Sequence, residues 1–101
     1  MTSLQRLTAW YSKQCNGDWE HSYGFEIGTL DNPGVSLRID LRDTDLESVP
    51  FEEKKDRYES SDEWMICSRT TDQFEGRGAP SRLEDIIEEF LSWSSRHEKT
   101  A

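Results

Sequence analysis

The stretch Phe25-Glu26-Ile27-Gly28-Thr29-Leu30-Asp31-Asn32-Pro33-Gly34-Val35-Ser36-Leu37-Arg38-Ile39-Asp40-Leu41 decides the fold. Apolar and polar residues alternate on both sides of Asp31-Asn32-Pro33-Gly34. A period of two places Phe25, Ile27 and Thr29 on one side of a first strand, and Val35, Leu37, Ile39 and Leu41 on the inner side of a second. Pro fixes φ at the first central turn position and Gly accepts a positive φ at the second, which predicts a type II turn. The unit is a β-hairpin with one face turned to a core.

Working outward toward the N-terminus, Leu4, Leu7, Trp10 and Tyr11 recur with helical spacing, predicting a helix from Ser3 to about Gln14 with Ser3 as its N-cap. Asn16-Gly17 ends it, since both tolerate the left-handed conformation of a helix stop. Asp18 to Gly24 reads as a strand lead-in or a structured loop. Toward the C-terminus, residues 43–62 form a polar connection broken by Pro50, and Phe51 to Tyr58 suits either a helical turn or the start of a strand. Glu63 to Thr70 predicts a third strand. Gln73 to Gly78 predicts a fourth, bulged or at an edge because of its glycines. Ser81-Arg82-Leu83-Glu84 has the pattern of a capping box. The helix it opens runs to about Ser95, burying Leu83, Ile86, Ile87, Phe90, Leu91 and Ser94, with Trp93 at the margin. Arg96, His97 and Lys99 suit its C-terminal end, and residues 98–101 are expected to fray. Trp64 and Trp93 are expected in the core. The order α-β-β-β-β-α is α+β: an antiparallel sheet of about four strands with both helices on one face.

The chain has 101 residues, enough for one domain spanning residues 1–101. Charged residues make up 33% and hydrophobic ones 33%, close to the border with disorder. The 11% aromatic share argues for a folded chain with a thin core. The formal charge of -9 repels nucleic acid and anionic membranes and attracts basic partners. It also suits a merely solvated surface, and composition does not choose between the two. No apolar run reaches the length of a membrane helix, and the N-terminus has no signal-peptide pattern. Two cysteines predict free thiols in a reducing cytoplasm.

No catalytic set emerges. Cys15 and His21 lie six residues apart across a glycine turn, and a Cys–His pair can make a thiolate nucleophile. The plainer reading is a packed cysteine and a surface histidine. Neither Cys15 nor Cys67 sits in a loop able to cradle a sulfur anion, which argues against a rhodanese-type sulfurtransferase. Cys15, His21, Cys67 and His97 lack the spacing of a zinc site, and no calcium loop, phosphate loop or dinucleotide fingerprint is present. No cofactor, metal or catalytic residue is therefore expected. A binding protein is the favoured class, with a small thiol enzyme using Cys15 and His21, or a non-catalytic adaptor, as alternatives.

Cys15-Asn16-Gly17-Asp18-Trp19-Glu20-His21-Ser22-Tyr23-Gly24, preceded by Leu7, Trp10 and Tyr11 and followed by Leu30-Asp31-Asn32-Pro33-Gly34, resembles the immunity protein 53 family of bacterial polymorphic toxin systems. Glu63-Trp64, Phe74-Glu75-Gly76, Leu83-Glu84-Asp85-Ile86-Ile87 and Phe90-Leu91-Ser92-Trp93 extend the resemblance over nearly the whole chain. It implies a cytoplasmic antidote whose partner is a cognate toxin domain, with no nucleic acid or membrane partner. Toxins that cut nucleic acid carry basic clefts, and an acidic surface complements them. The expected partner-binding residues are Asp18, Trp19, Glu20, Asp43, Asp45 and Glu47. Trp19 equally suits a structural plug between the first helix and the sheet. The sequence leaves the toxin, its activity and the oligomeric state open.

Overall fold

The computed structural model describes residues 1–97. Its elements are α1 (Ser3–Gln14), a short helix α2 (Trp19–Ser22), β1 (Phe25–Leu30), β2 (Gly34–Asp40), β3 (Lys54–Asp56), β4 (Met65–Arg69), β5 (Gln73–Gly78), a single 3-10 turn at Pro80–Arg82, and α3 (Leu83–Arg96). The five strands form one antiparallel sheet in the order β1-β2-β5-β4-β3. The fold is α+β, with the helices on one face. The expectation for Lys99 and residues 98–101 lies outside the described residues.

The hairpin forms where the alternation predicts it. Phe25 pairs with Ile39, Ile27 with Leu37 and Thr29 with Val35, so these side chains share a face. Leu37, Ile39 and Leu41 are buried, but Ile27 is 40% exposed, because β1 is an edge strand beyond the reach of α3. The type II turn is not made. The Asn32–Pro33 peptide is cis, and Gly34 has no positive φ. Gly34 serves closeness instead: a Cβ there would lie 2.6 Å from the carbonyl oxygen of Gly78 on the neighbouring strand.

β5 is the central strand, not a bulged or edge one. Its glycines face the helices. A Cβ at Gly76 would run into Cγ2 of Ile86, and one at Gly78 would crowd the Trp64 carbonyl and Arg82. The missing side chains let α3 lie directly on the middle of the sheet. Arg77 between them points to the open face and pairs with Glu75 at 3.0 Å. The core of Leu7, Leu37, Ile39, Met65, Cys67, Phe74, Ile86, Phe90 and Trp93 fills the space between the layers. Phe74 lies with Phe51, Phe90 and Trp93 at ring separations of 5.2–6.2 Å, in range for favourable aromatic contact. Trp93 is buried rather than marginal, and its Nε1 donates to the Pro50 carbonyl. Trp64 is only half-buried, its ring edge-on to exposed Tyr58.

Several helix starts differ from expectation. Thr2, not Ser3, caps α1: its Oγ1 accepts from the Gln5 amide while the Gln5 side chain accepts from the Thr2 amide. Leu4 is exposed at 49%, so the buried stripe of α1 is narrower than the spacing suggested. The capping box at Ser81 and Glu84 is absent. The 3-10 turn at Pro80–Arg82 leads into α3, and the Ser81 hydroxyl donates to the Asp62 carbonyl. The polar connection contains a fifth strand, since β4 would otherwise leave its outer backbone groups unpaired.

Candidate functional site

The site is assembled from two segments that leave the sheet at one end. The first follows α1, which stops at Cys15. Gly17 takes φ +91°, a left-handed value that glycine adopts without penalty. Asn16 Oδ1 then accepts from the amides of Asp18 (3.0 Å) and Trp19 (2.9 Å). The Glu20 carboxylate folds back to accept from Asn16 and Gly17, each at 2.9 Å. These bonds close a box of five residues and launch α2. They also hold the Glu20 carboxyl below its ordinary pKa, the bond from its own amide being the largest cause and partial desolvation opposing.

Trp19 is 4% exposed. Its ring lies 5.9–6.3 Å from those of Trp10, Tyr11 and Tyr23, and its Nε1 donates to the Arg42 carbonyl at 2.8 Å. It is the plug between α1 and the sheet, and its ring offers almost no area to a partner. Asp18 alone in this stretch is an exposed carboxylate.

The Trp19–Arg42 bond ties α2 to the second segment, residues 41–50. This is a run of turns. Thr44, Glu47 and Val49 amides donate to the carbonyls of Leu41, Thr44 and Leu46, and the Thr44 hydroxyl accepts from the Leu46 amide. Leu46 is 2% exposed and pins the run to the core. Asp43 takes φ +61°, a region that Asp enters more readily than most residues. Asp43, Asp45 and Glu47 are all exposed. Arg42 lies between Glu47 and Asp72, 3.4 Å from each. The bond to Asp72 is the main reason its pKa is raised. The Leu41 amide donates to the Asp72 carbonyl, which brings the β4–β5 turn alongside. The structure thus brings Glu47 and Asp72 to Arg42 at one end of the sheet, with exposed Asp18, Asp43 and Asp45 on the two segments that the Trp19–Arg42 bond ties together.

Other acids of the connection are employed elsewhere. Asp40 accepts from the Gly24 amide and the Gln73 side chain. Asp56 lies 2.6 Å from Arg82, which holds its carboxyl below the ordinary value. Glu63 pairs with Arg57 at 2.6 Å. The acidic stretch seen in the sequence therefore divides: Asp40, Asp56 and Glu63 are engaged within the fold, whereas residues 43–47 combine outward carboxylates with a backbone fixed by turns. Arg69 went unrecognised in the sequence: its guanidinium reaches the carbonyls of Leu46, Glu47 and Val49. A lone arginine at the end of a strand carries no signal of that role.

Among the described residues neither thiol has a hydrogen bond to a histidine. Cys15 Sγ donates to the Tyr11 carbonyl at 3.4 Å, the ordinary bond of a helix-end cysteine to the turn before it. His21 is exposed on α2. Cys67 is fully buried, and desolvation pushes its pKa up to about 12. Among the described residues no group of three or more His, Cys, Asp and Glu is placed to hold a metal, and no helix is long and apolar enough to cross a membrane.

Neither a curated protein nor a solved structure matches the chain. The profile of the family described as immunity protein 53 matches residues 4–95, which takes in both segments of the site, all five strands, and α1 and α3 but for one terminal residue each. The chain belongs to the immunity protein 53 family.

Proposed function

We propose that this protein neutralises a cognate toxin domain in the cytoplasm of the producing cell by seating its acidic end on a basic surface of the toxin. Membership of an immunity family implies a protein partner. The observation that carries the surface assignment is the pairing of outward carboxylates at Asp43, Asp45 and Glu47 with a backbone fixed by internal bonds and by buried Leu46. Preformed charge of one sign steers a complementary partner and loses little order on docking. A toxin that cuts nucleic acid has a cleft of the matching sign, so a basic nuclease is the proposed target. Asp18 flanks this surface. Trp19 and Glu20 act from beneath it, as support.

The test uses a toxin domain sought in the neighbouring reading frame. Co-expression should rescue growth. The variant D43N/D45K/E47K should slow association about 10-fold or more at low salt, with the difference shrinking at high salt. Asn is chosen at position 43 because it tolerates positive φ, so that charge changes without backbone strain. Equal association rates in both salt regimes would refute the acidic-surface mechanism. Failure of rescue by the unaltered protein would refute the pairing itself.

A further inference from the structure

The Arg69 guanidinium has five N–H groups, and each donates to a backbone carbonyl. Nε reaches Thr70 at 2.9 Å. Nη1 reaches Leu46 at 2.9 Å and Val49 at 2.5 Å. Nη2 reaches Glu47 at 3.0 Å and Thr71 at 2.8 Å. Three of these acceptors belong to the acidic segment and two to the β4–β5 turn. None is a carboxylate. The Arg69 charge is thus held by neutral carbonyls and draws no carboxylate inward; the Glu47 side chain reaches Arg42 at the surface instead.

We infer that Arg69 is the positioning residue of the acidic surface. It gathers carbonyls that the turns of residues 46–49 direct inward and joins them to the end of β4. The Leu46, Glu47 and Val49 amides bond within the segment's own turns, and Arg69 is the partner that faces the carbonyls of Glu47 and Val49 toward the sheet. The planar fork matters. A lysine at the same place has three donors on a single point and no means of spanning five acceptors. The functional consequence rests on the acidic-surface reading; the clasp itself does not.

The experiment compares the full chain with Arg69→Ala and Arg69→Lys by residue-resolved amide hydrogen exchange. In Arg69→Ala the amides of residues 44–49 should exchange about 10-fold or more faster, while those of β2 and β5 stay within about 2-fold. Arg69→Lys should fall between, and gives the same comparison if the alanine variant does not fold. Unchanged exchange in residues 44–49, or equal acceleration across the sheet, would overturn the clasp. The second readout is binding to the same toxin domain. Removing a cation leaves the steering charge in place, so association should hold within about 3-fold while dissociation rises about 10-fold. A loosened segment with both rates unchanged would overturn the acidic-surface reading and leave the clasp standing. A segment that does not loosen would do the reverse.

Discussion

Residues 15–24 and residues 41–50 are both short acidic segments outside the sheet, the first anchored by buried Trp19 and the second by buried Leu41 and Leu46. They use their acids in opposite directions. In the first, Glu20 turns inward and its two oxygens take the amides of Asn16 and Gly17. In the second, the acids face solvent, and the backbone is held by turns and by an arginine about 20 residues away in sequence. A carboxylate near unpaired amides becomes structure, and one whose neighbouring amides are already bonded stays at the surface. The comparison separates the support of the site from its surface.

The sharpest way to break this comparison is Trp19→Ala. It removes the anchor of the first segment and the donor to the Arg42 carbonyl, so both segments should loosen. The expected loss is about 3–5 kcal/mol, measured by chemical denaturation. Trp19→Phe keeps much of the ring but not the N–H and should cost distinctly less. If the two variants lost the same stability, the bond between the segments would dominate over packing.

Glu20→Gln sharpens the contrast through pH. The folded pKa of Glu20 is depressed, so its contribution is complete above the ordinary carboxylate value of about 4.3 and is lost as pH falls through the depressed folded value. The glutamine variant turns an N–H toward one of the two backbone amides and should melt at lower temperature near pH 7. Its melting temperature should approach that of the unaltered protein as pH falls toward 2. Parallel melting curves over that whole range would mean that the carboxylate contributes nothing to the box.

The smallest stability effect is expected where the largest binding effect is proposed. D43N/D45K/E47K should change stability by no more than about 0.5 kcal/mol, because the three side chains are exposed. Among the described residues the one ion pair these acids make is that of Glu47 with Arg42 at 3.4 Å, and exposed pairs of this kind contribute little. A marked loss of stability would show that these acids support the fold as Glu20 does.

The same division explains which parts of the fold were legible. The hairpin, α1 and the stripe of α3 follow from interactions within a few residues, and periodicity records those directly. The Asn16–Glu20 box is also local, though its helical turn was not expected. β3 was ambiguous because Lys54-Lys55-Asp56 has no apolar alternation; it is a strand because β4 offers it backbone partners. β5 was misplaced because its glycines read as weakness. Their purpose is visible only with Ile86 lying against them.

The sequence by itself determined the α+β class, the two strands of the hairpin, the buried face of α3, the acidic balance and the likeness to an immunity family. These depend on patterning and on total charge, both of which are properties of the chain. Tertiary structure alone decided that Trp19 is a plug, that Glu20 and Asp40 are engaged with amides, and that Arg69 holds the segment carrying Asp45 and Glu47. The physical reason is that a polar group's role is set by the donors and acceptors that reach it, and in a folded chain those come from residues far away in sequence.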